Sequence, residues 1–127
     1  MDSSVNILNW FEVPVSDITR AKKFYETIFS IRMSDIEEMM GMQMTFFPFE
    51  MNGKLSGGLV QGPMHAPSTD GVKIYFNGNP DLDEALSKIA DAGGTVTMPK
   101  TKINDDIGYM AFFIDTEGNS VALHSNA

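Results

Sequence analysis

Residues 9–29, NWFEVPVSDITRAKKFYETIF, contain the signals for a strand, a helix cap and a helix in immediate succession. Side chains alternate in character over residues 7–15, which predicts a strand. Ser16 and Asp17 then supply the side-chain oxygens that begin helices. After them the apolar residues recur at intervals of three and four, which predicts a helix with one buried face. The residues of that face are Ile18, Ala21, Phe24, Tyr25, Ile28 and Phe29.

Glu12 is the unusual residue of this predicted strand. Alternation places Phe11, Val13 and Val15 on one face, and Trp10 and Glu12 on the other. If the first three pack on the helix, Glu12 points away from it into a cavity. Two interpretations stay open: a carboxylate that is solvated or paired with a base, and a carboxylate that contacts a ligand or takes a proton.

The pattern continues along the chain and then starts again. Apolar segments are separated by glycine, proline and asparagine, which predicts short strands between turns. QGPMHAPSTDG, at residues 61–71, is rich in proline and small polar residues and predicts a linker. Further strands are predicted at 32–40, 43–49, 55–60, 72–77, 95–100, 108–115 and 120–125, and a second helix over 82–90 ends at Gly93 and Gly94.

The two halves repeat each other. MTFF at 44–47 recurs as MAFF at 110–113, and the helix stripe and a turn glycine recur at nearly the same offset. A constant offset across several elements predicts a duplicated unit. We therefore expect one α+β domain over residues 1–127, with two strand–helix–strand–strand–strand (βαβββ) modules at about 5–60 and 72–125. Each module leaves one sheet face bare, so the two should form a curved mixed sheet around a cleft.

Composition excludes several classes of function. The chain has no cysteine, so it has no disulfide, thiolate metal site or cysteine nucleophile. Seventeen acidic against nine basic residues give a net charge of −8, without the basic face that nucleic acid needs. No segment resembles a membrane span or a secretion signal. We expect a cytoplasmic protein with neither a nucleic-acid nor a membrane partner.

Two motifs, VPVSDITRAKKFYETIF at 13–29 and DTEGNSVALHS at 115–125, resemble the vicinal oxygen chelate superfamily. That superfamily includes glyoxalase I, bleomycin-resistance proteins, extradiol dioxygenases and fosfomycin-resistance transferases. The similarity extends over roughly residues 7–125 and is greatest to a group of short proteins related to lactoylglutathione lyase. It implies the glyoxalase-like fold, a small-molecule ligand and a homodimer.

The resemblance also gives the positions where metal-using members carry their ligands. These positions hold Trp10, Gly57, Val72 and Ala122, none of which offers a donor to a divalent ion. We therefore predict no metal and no cofactor, with these four residues lining the ligand cleft. A shift of two residues along the strands brings in Glu12, Leu59, Ile74 and His124, which adds only two donors.

These residues lead to two hypotheses about function. The first is a small-molecule-binding protein whose ligand touches Trp10, Gly57, Val72, Ile74 and Ala122 and carries a positive group near Glu12. The alternative is a metal-independent lyase or isomerase. In that enzyme Glu12 takes a proton next to a carbonyl and His124 or Tyr75 donates one.

Other candidates have a simpler explanation. His65 lies in the linker and is predicted to be a loop residue, and Trp10 either lines the cavity or fills space. The methionines of residues 33–51 form either core and dimer contacts or an adaptable wall for an apolar ligand. Those six are Met33, Met39, Met40, Met42, Met44 and Met51.

Overall fold

The computed structural model describes all 127 residues and has an α+β fold, which confirms the predicted fold class. Each half of the chain forms its own four-stranded mixed sheet. The strand orders are β1-β4-β3-β2 and β5-β8-β7-β6. The elements are β1 Trp10–Pro14, α1 Ile18–Phe29, β2 Glu37–Met39, β3 Met42–Phe46, β4 Ser56–Gln61, β5 Tyr75–Asn77, α2 Asp83–Leu86, α3 Ile89–Ala92, β6 Thr95–Asn104, β7 Gly108–Ile114 and β8 Ser120–Ser125.

The two sheets have the same internal arrangement. β1 runs parallel to β4, and β5 runs parallel to β8, while the remaining neighbours in each sheet are antiparallel. β1 and β5 are therefore edge strands at corresponding places. None of the helices has both the length and the apolar character that crossing a bilayer requires.

Several elements are shorter than the apolar pattern predicts. β1 begins at Trp10, where its pairing with Ser56 begins, and the apolar residues before it are exposed. β5 covers only Tyr75–Asn77, because the residues before it do not pair with β8 as a strand. The predicted second helix is divided into α2 and α3 at Ser87 and Lys88, which keep right-handed dihedrals.

Helix α1 has the predicted boundaries and forms the centre of the core. Asp17 is its N-cap, and one carboxylate oxygen accepts a hydrogen bond from the Arg20 amide at 3.0 Å. The apolar face of α1 packs on both modules at once. Phe24 contacts Phe113 of β7, and Tyr25 contacts Phe47 next to β3. A single core cluster of 18 buried residues therefore joins the halves.

The repeated motif has the same orientation in each half. Thr45 and Phe47 of the first half point into the protein, as do Ala111 and Phe113 of the second. The alternate residues, Met44 and Phe46 or Met110 and Phe112, therefore lie on the opposite face of each sheet. The repeat in the sequence thus corresponds to a repeat of strand, face and register.

Glu117, in the turn between β7 and β8, joins the second module to the start of α1. One carboxylate oxygen accepts the backbone N–H groups of Ser16 and Asp17 at 2.9 and 2.8 Å, and the other accepts Arg20 Nε at 2.7 Å. Partial burial disfavours the charged form, but the hydrogen bonds from Arg20, Asp17, Thr116 and Ser16 outweigh it and lower the pKa of Glu117. The same carboxylate also lies at the positive end of the helix dipole.

This contact predicts a loss of stability in acid. Because the folded-state pKa of Glu117 is lowered from its ordinary value of 4.5, its contribution to stability is complete above that value and is lost as the pH falls through the folded-state pKa. Glu117→Gln should lower the free energy of unfolding by about 1–3 kcal/mol near neutral pH. The difference from wild type should shrink as the pH falls below 4.5, the ordinary pKa of a glutamate. Urea unfolding at a series of pH values measures it.

The exposed Glu38 offers a control for general charge effects, because its side chain makes no hydrogen bond. Glu38→Gln should leave stability nearly unchanged throughout the pH series. A Glu117→Gln difference that is constant with pH would show that the charge of Glu117 is not what stabilises the junction.

Candidate functional site

The first sheet has an inner face against α1 and an outer face that carries the candidate residues. Val13, Leu59 and Phe47 point inward and are almost completely buried. Trp10 and Glu12 alternate with the inward residues of β1 and therefore point outward. The side chain of Glu12 is 37% exposed. The structure thus places Glu12 away from the helix, on an accessible surface.

Trp10 belongs to an aromatic cluster on this outer face. Its ring centroid lies 5.7 Å from that of Phe46 and 5.5 Å from that of Phe49, both edge to face. Phe46 and Phe49 meet edge to face at 5.9 Å. Gly58 makes room for the Phe46 ring, because a Cβ at Gly58 would lie only 2.9 Å from a carbon of that ring. Trp10 is 37% and Phe49 47% exposed, so the cluster presents aromatic surface to solvent.

Met39 and Met42 extend this surface, whereas Met44 is only 6% exposed and lies beneath it. Met42 and Met44 lie on the same face of β3 as Phe46, and Met39 pairs directly with Met42. The other methionines of this part of the chain are placed differently. Met33 belongs to the core, while Met40 and Met51 are almost fully exposed. Met33 therefore fits the core interpretation, while a role of the others as a dimer contact or as a wall for an apolar ligand stays a prediction.

Glu12 has a partner in His65, which the sequence predicts to be an ordinary loop residue. His65 Nε2 lies 2.9 Å from Glu12 Oε1. A carboxylate only accepts hydrogen bonds, so Nε2 carries the proton in this contact. The other ring nitrogen, His65 Nδ1, is buried and has no hydrogen-bond partner. Nothing in the linker composition indicated this contact, which depends on how the loop folds back.

A cavity of about 320 Å³ lies beside Glu12. It is enclosed by the edge of β1, the linker and the beginning of β8, and Glu12 is the only charged residue in its wall. Two further predicted site residues, Val72 and Ile74, line it as well. The remaining lining residues are Leu8, Phe11, Val13, Pro14, Ala66, Ser68, Gly71, Asn119, Ser120 and Val121.

A second cavity, of about 490 Å³, lies at the other end of the junction between β1 and β5. Its floor is aromatic, with Phe11, Phe47 and Phe76 in contact at 5.6–5.8 Å between ring centroids. At its rim, Lys88 Nζ donates to Ser30 Oγ at 2.7 Å. Of the residues that the sequence singled out for chemistry, this cavity contains only Tyr75, the alternative proton donor of the enzyme hypothesis.

The outer face of the second sheet carries a smaller aromatic pair. Tyr75 and Phe112 meet edge to face at 6.1 Å, and Lys73 Nζ lies 4.4 Å from the Phe112 ring centroid. Ala122 pairs with both aromatic residues and has no exposed surface. His124 lies farther along β8, where its Nε2 donates to the Ile107 carbonyl at 2.7 Å.

The structure brings together only some of the predicted site residues. Glu12, Val72 and Ile74 share one cavity, and Trp10 lies on the same sheet face as Glu12. Within one chain, Glu12 and His124 are engaged by different partners and belong to different sheets.

Gly57 is placed differently from the expectation for a cleft residue. It pairs with Phe11 of β1, so it belongs to the inner face of the sheet. A Cβ there would overlap the Phe11 carbonyl oxygen and lie 2.6 Å from the ring carbon Cγ. Gly58, one residue later, pairs with Glu12 and is the glycine of the outer face.

The residues at the four positions that the resemblance assigns to metal ligands, Trp10, Gly57, Val72 and Ala122, do not fit a metal ion. An indole, a glycine, an isopropyl group and a methyl group supply no donor. In the structure, no three His, Cys, Asp or Glu side chains lie close enough together to hold one. Two residues near those positions, Glu12 and His124, have donor atoms, but Glu12 is hydrogen-bonded to His65 and His124 to the Ile107 carbonyl.

Two mixed sheets built from repeated βαβββ modules around a shared helical core define the glyoxalase-like class of fold. Residues 7–123 match the family model of the Glyoxalase/Bleomycin resistance protein/Dioxygenase superfamily. The chain belongs to this superfamily.

Known proteins resemble the chain in sequence and in fold. It is 30% identical over 118 residues to "Putative glyoxylase CFP32" of Mycobacterium bovis and of Mycobacterium tuberculosis. The match covers 91% of this chain but 44% of the mycobacterial proteins, so the chain spans less than half of their length.

Two solved structures show the same fold over nearly their whole length. A glyoxylase/bleomycin resistance protein/dioxygenase domain from Frankia sp. EAN1pec has a TM-score of 0.73 at 16% identity, covering 97% of this chain and 99% of that one. TnmS3, an antibiotic binding protein from Streptomyces sp. CB03234, has a TM-score of 0.68 at 22% identity, covering 99% and 100%. At these identities the likeness concerns the fold alone.

Proposed function

We propose that the protein binds a small molecule with a flat apolar body and a positively charged group. The observation that carries the proposal is the exposed edge-to-face cluster of Trp10, Phe46 and Phe49 on the same sheet face as Glu12. Aromatic rings and methionines supply adaptable apolar contact, and the carboxylate supplies orientation and charge selection. TnmS3 has the same fold and is an antibiotic binding protein, so such a role lies within the range of the fold.

A second copy of the chain completes the binding surface in this proposal. Within one chain the outer face of each sheet stays open, with Trp10, Phe49 and Met39 exposed on the first and Tyr75 on the second. Monomeric proteins seldom expose contiguous apolar surface of this kind. A homodimer that places the two outer faces against each other would cover both and enclose the ligand.

The lyase or isomerase alternative depends on the same dimer. It needs a proton donor opposite Glu12, and in one chain His124 instead donates to the Ile107 carbonyl. His124 of the second copy would have to approach Glu12 for the pair to act together. No specific contact in the structure favours this enzyme over a binding protein, so binding is the function we propose.

Substitution of Trp10 tests the proposal. A thermal-shift screen with neutral and cationic aromatic compounds should give ligands whose affinity Trp10→Ala lowers about tenfold. An aromatic contact is worth about 0.5–1.5 kcal/mol beyond the area it buries, and about 1.4 kcal/mol corresponds to a factor of ten. Trp10→Phe, which keeps one ring, should lose less.

Ile107→Ala serves as the matched control, because Ile107 is a half-exposed apolar residue of a turn in the second module. Ile107→Ala should leave ligand affinity unchanged.

The proposed homodimer is tested separately: light scattering on the same samples should give the mass of two chains. If every ligand binds Trp10→Ala as tightly as wild type, the aromatic cluster is not the binding surface and the proposal fails.

A further inference from the structure

The first part of the linker, residues 62–67, makes a single hydrogen bond to another element of the protein, and we call it the strap. Within it, the His65 amide donates to the Gly62 carbonyl at 3.1 Å, which closes a local turn. The strap is followed by Ser68, whose amide donates to Asn119 Oδ1 at 3.1 Å. Between Gln61 and Ser68, the one hydrogen bond from the strap to another element is that of His65 with Glu12.

The same hydrogen bond is the only one that the His65 ring makes. Nε2 is joined to Glu12 at 2.9 Å, and Nδ1 is buried without a partner. A buried polar atom that lacks a hydrogen bond is unfavourable, because water would have satisfied it. Moving the ring outward would give up one hydrogen bond and return Nδ1 to water. One hydrogen bond and the packing of a side chain that is 18% exposed therefore hold His65 in the closed position, and the unpaired Nδ1 opposes them.

Glu12 is the one charged group in a cavity whose other walls are mostly apolar. A volume of about 320 Å³ is at the lower end of the range that small-molecule sites have. His65 now gives the carboxylate one N–H. An ammonium or amidinium group would bring a full positive charge together with its N–H donors, so coulombic attraction to the carboxylate would add to the hydrogen bond.

We propose that His65 occupies, in the free protein, the place at Glu12 that the cationic nitrogen of the ligand takes, and that binding displaces the strap. The inference rests on the proposed function and names both the ligand class, a small organic cation with an apolar body, and the residue that competes with it. His65 acts as a tethered competitor. Removing it should therefore strengthen binding rather than weaken it.

Benzylamine, which is cationic near neutral pH, is the probe, and benzyl alcohol is its neutral counterpart. Trp10 is the only tryptophan and lies on the face of Glu12, so its fluorescence reports binding. If His65 is closed in about nine molecules of ten, His65→Ala should tighten benzylamine binding about tenfold. Benzyl alcohol should show no such gain, and Glu12→Gln should abolish the preference for the amine.

Hydrogen exchange of the strap gives a second measurement. Benzylamine should increase the exchange of the residue-65 amide, which donates to the Gly62 carbonyl in the closed strap, whereas a ligand that the strap closes over would protect that amide. In His65→Ala the exchange should be high without ligand. Met64→Ala is the matched control within the strap, because the Met64 side chain is 91% exposed, and it should change neither affinity nor exchange.

Weaker or unchanged benzylamine binding by His65→Ala, or protection of the strap on binding, would overturn the inference. So would the failure of benzylamine to bind both proteins. If neutral aromatic ligands still bind and depend on Trp10 in that case, the proposed function stands and only the competition by His65 is wrong. If no ligand of either kind binds, both proposals fall.

Discussion

Replacing Asp115 with alanine is expected to lower the free energy of unfolding by about 3–5 kcal/mol, the cost typical of removing one member of a buried charged network. Asp115 is 4% exposed and accepts the Tyr25 hydroxyl at 2.7 Å and Asn119 Nδ2 at 3.1 Å. Its other oxygen accepts two backbone N–H groups of the turn at 2.9 Å. Burial raises the pKa of Tyr25 well above its ordinary value, and the Asp115 charge adds to this, so Tyr25 remains a donor.

Alanine would leave these donors buried without acceptors. Urea unfolding followed by circular dichroism measures the loss, and Asp70→Ala provides the control. Asp70 is an exposed acid of the linker, and its removal should change stability by no more than about 0.5 kcal/mol. Tyr25→Phe should cost less than Asp115→Ala because it removes only one of the four hydrogen bonds. A cost below about 1 kcal/mol, ordinary for a surface change, would mean that the network does not hold the modules together.

Gly57→Ala is expected to destabilise the protein by about 2–3 kcal/mol, at the upper end of the usual cost of overpacking. A Cβ there would collide with the backbone of Phe11 as well as with its ring, and the backbone of a paired strand cannot move aside as a flexible side chain does. If Gly57 lay in the ligand cleft, the added methyl group would occupy ligand space and leave stability nearly unchanged.

Gly71→Ala is the matched comparison. A Cβ at Gly71 would meet only Ser68, at an ordinary contact distance of 3.8 Å. Its effect should be small or slightly stabilising. Thermal and urea unfolding of the two variants, with ligand affinity measured in parallel, separate the structural explanation from the cleft explanation. A Gly57→Ala protein that is as stable as wild type but binds ligand more weakly would show that Gly57 lines the ligand site.

Local periodicity predicted most of the fold. The three-and-four spacing after Asp17 identified the buried face of α1, and alternation in β1 identified Val13 as inward and Glu12 as outward. The repeated MTFF and MAFF motifs predicted equivalent strands, which the structure contains. These patterns depend only on which side of one helix or strand is buried, so the sequence of that element is sufficient to predict its buried face.

The register between strands and the paths of the loops could not be predicted from the periodicity of single elements. Gly57 and Gly58 are adjacent glycines, and only the pairing of β4 with β1 decides which one faces Glu12. A shift of one residue reverses the face, and two glycines in a row give no side-chain pattern to fix it. The contact of His65 with Glu12 joins residues 53 positions apart through a loop without periodicity. No pattern in the sequence predicts this contact, and only the folded structure shows it.

The surface between the two modules has the chemistry of a boundary between separate subunits. Phe24, Tyr25 and Phe113 meet there in an apolar centre, and Glu117 with Arg20 forms a charged margin. A fragment that ended before the linker would expose that apolar centre to water. It would have to pair with another fragment, or aggregate, to hide it. The peptide connection therefore mainly raises the local concentration of two pieces that already fit each other, much as a tether does for a pair of docking partners.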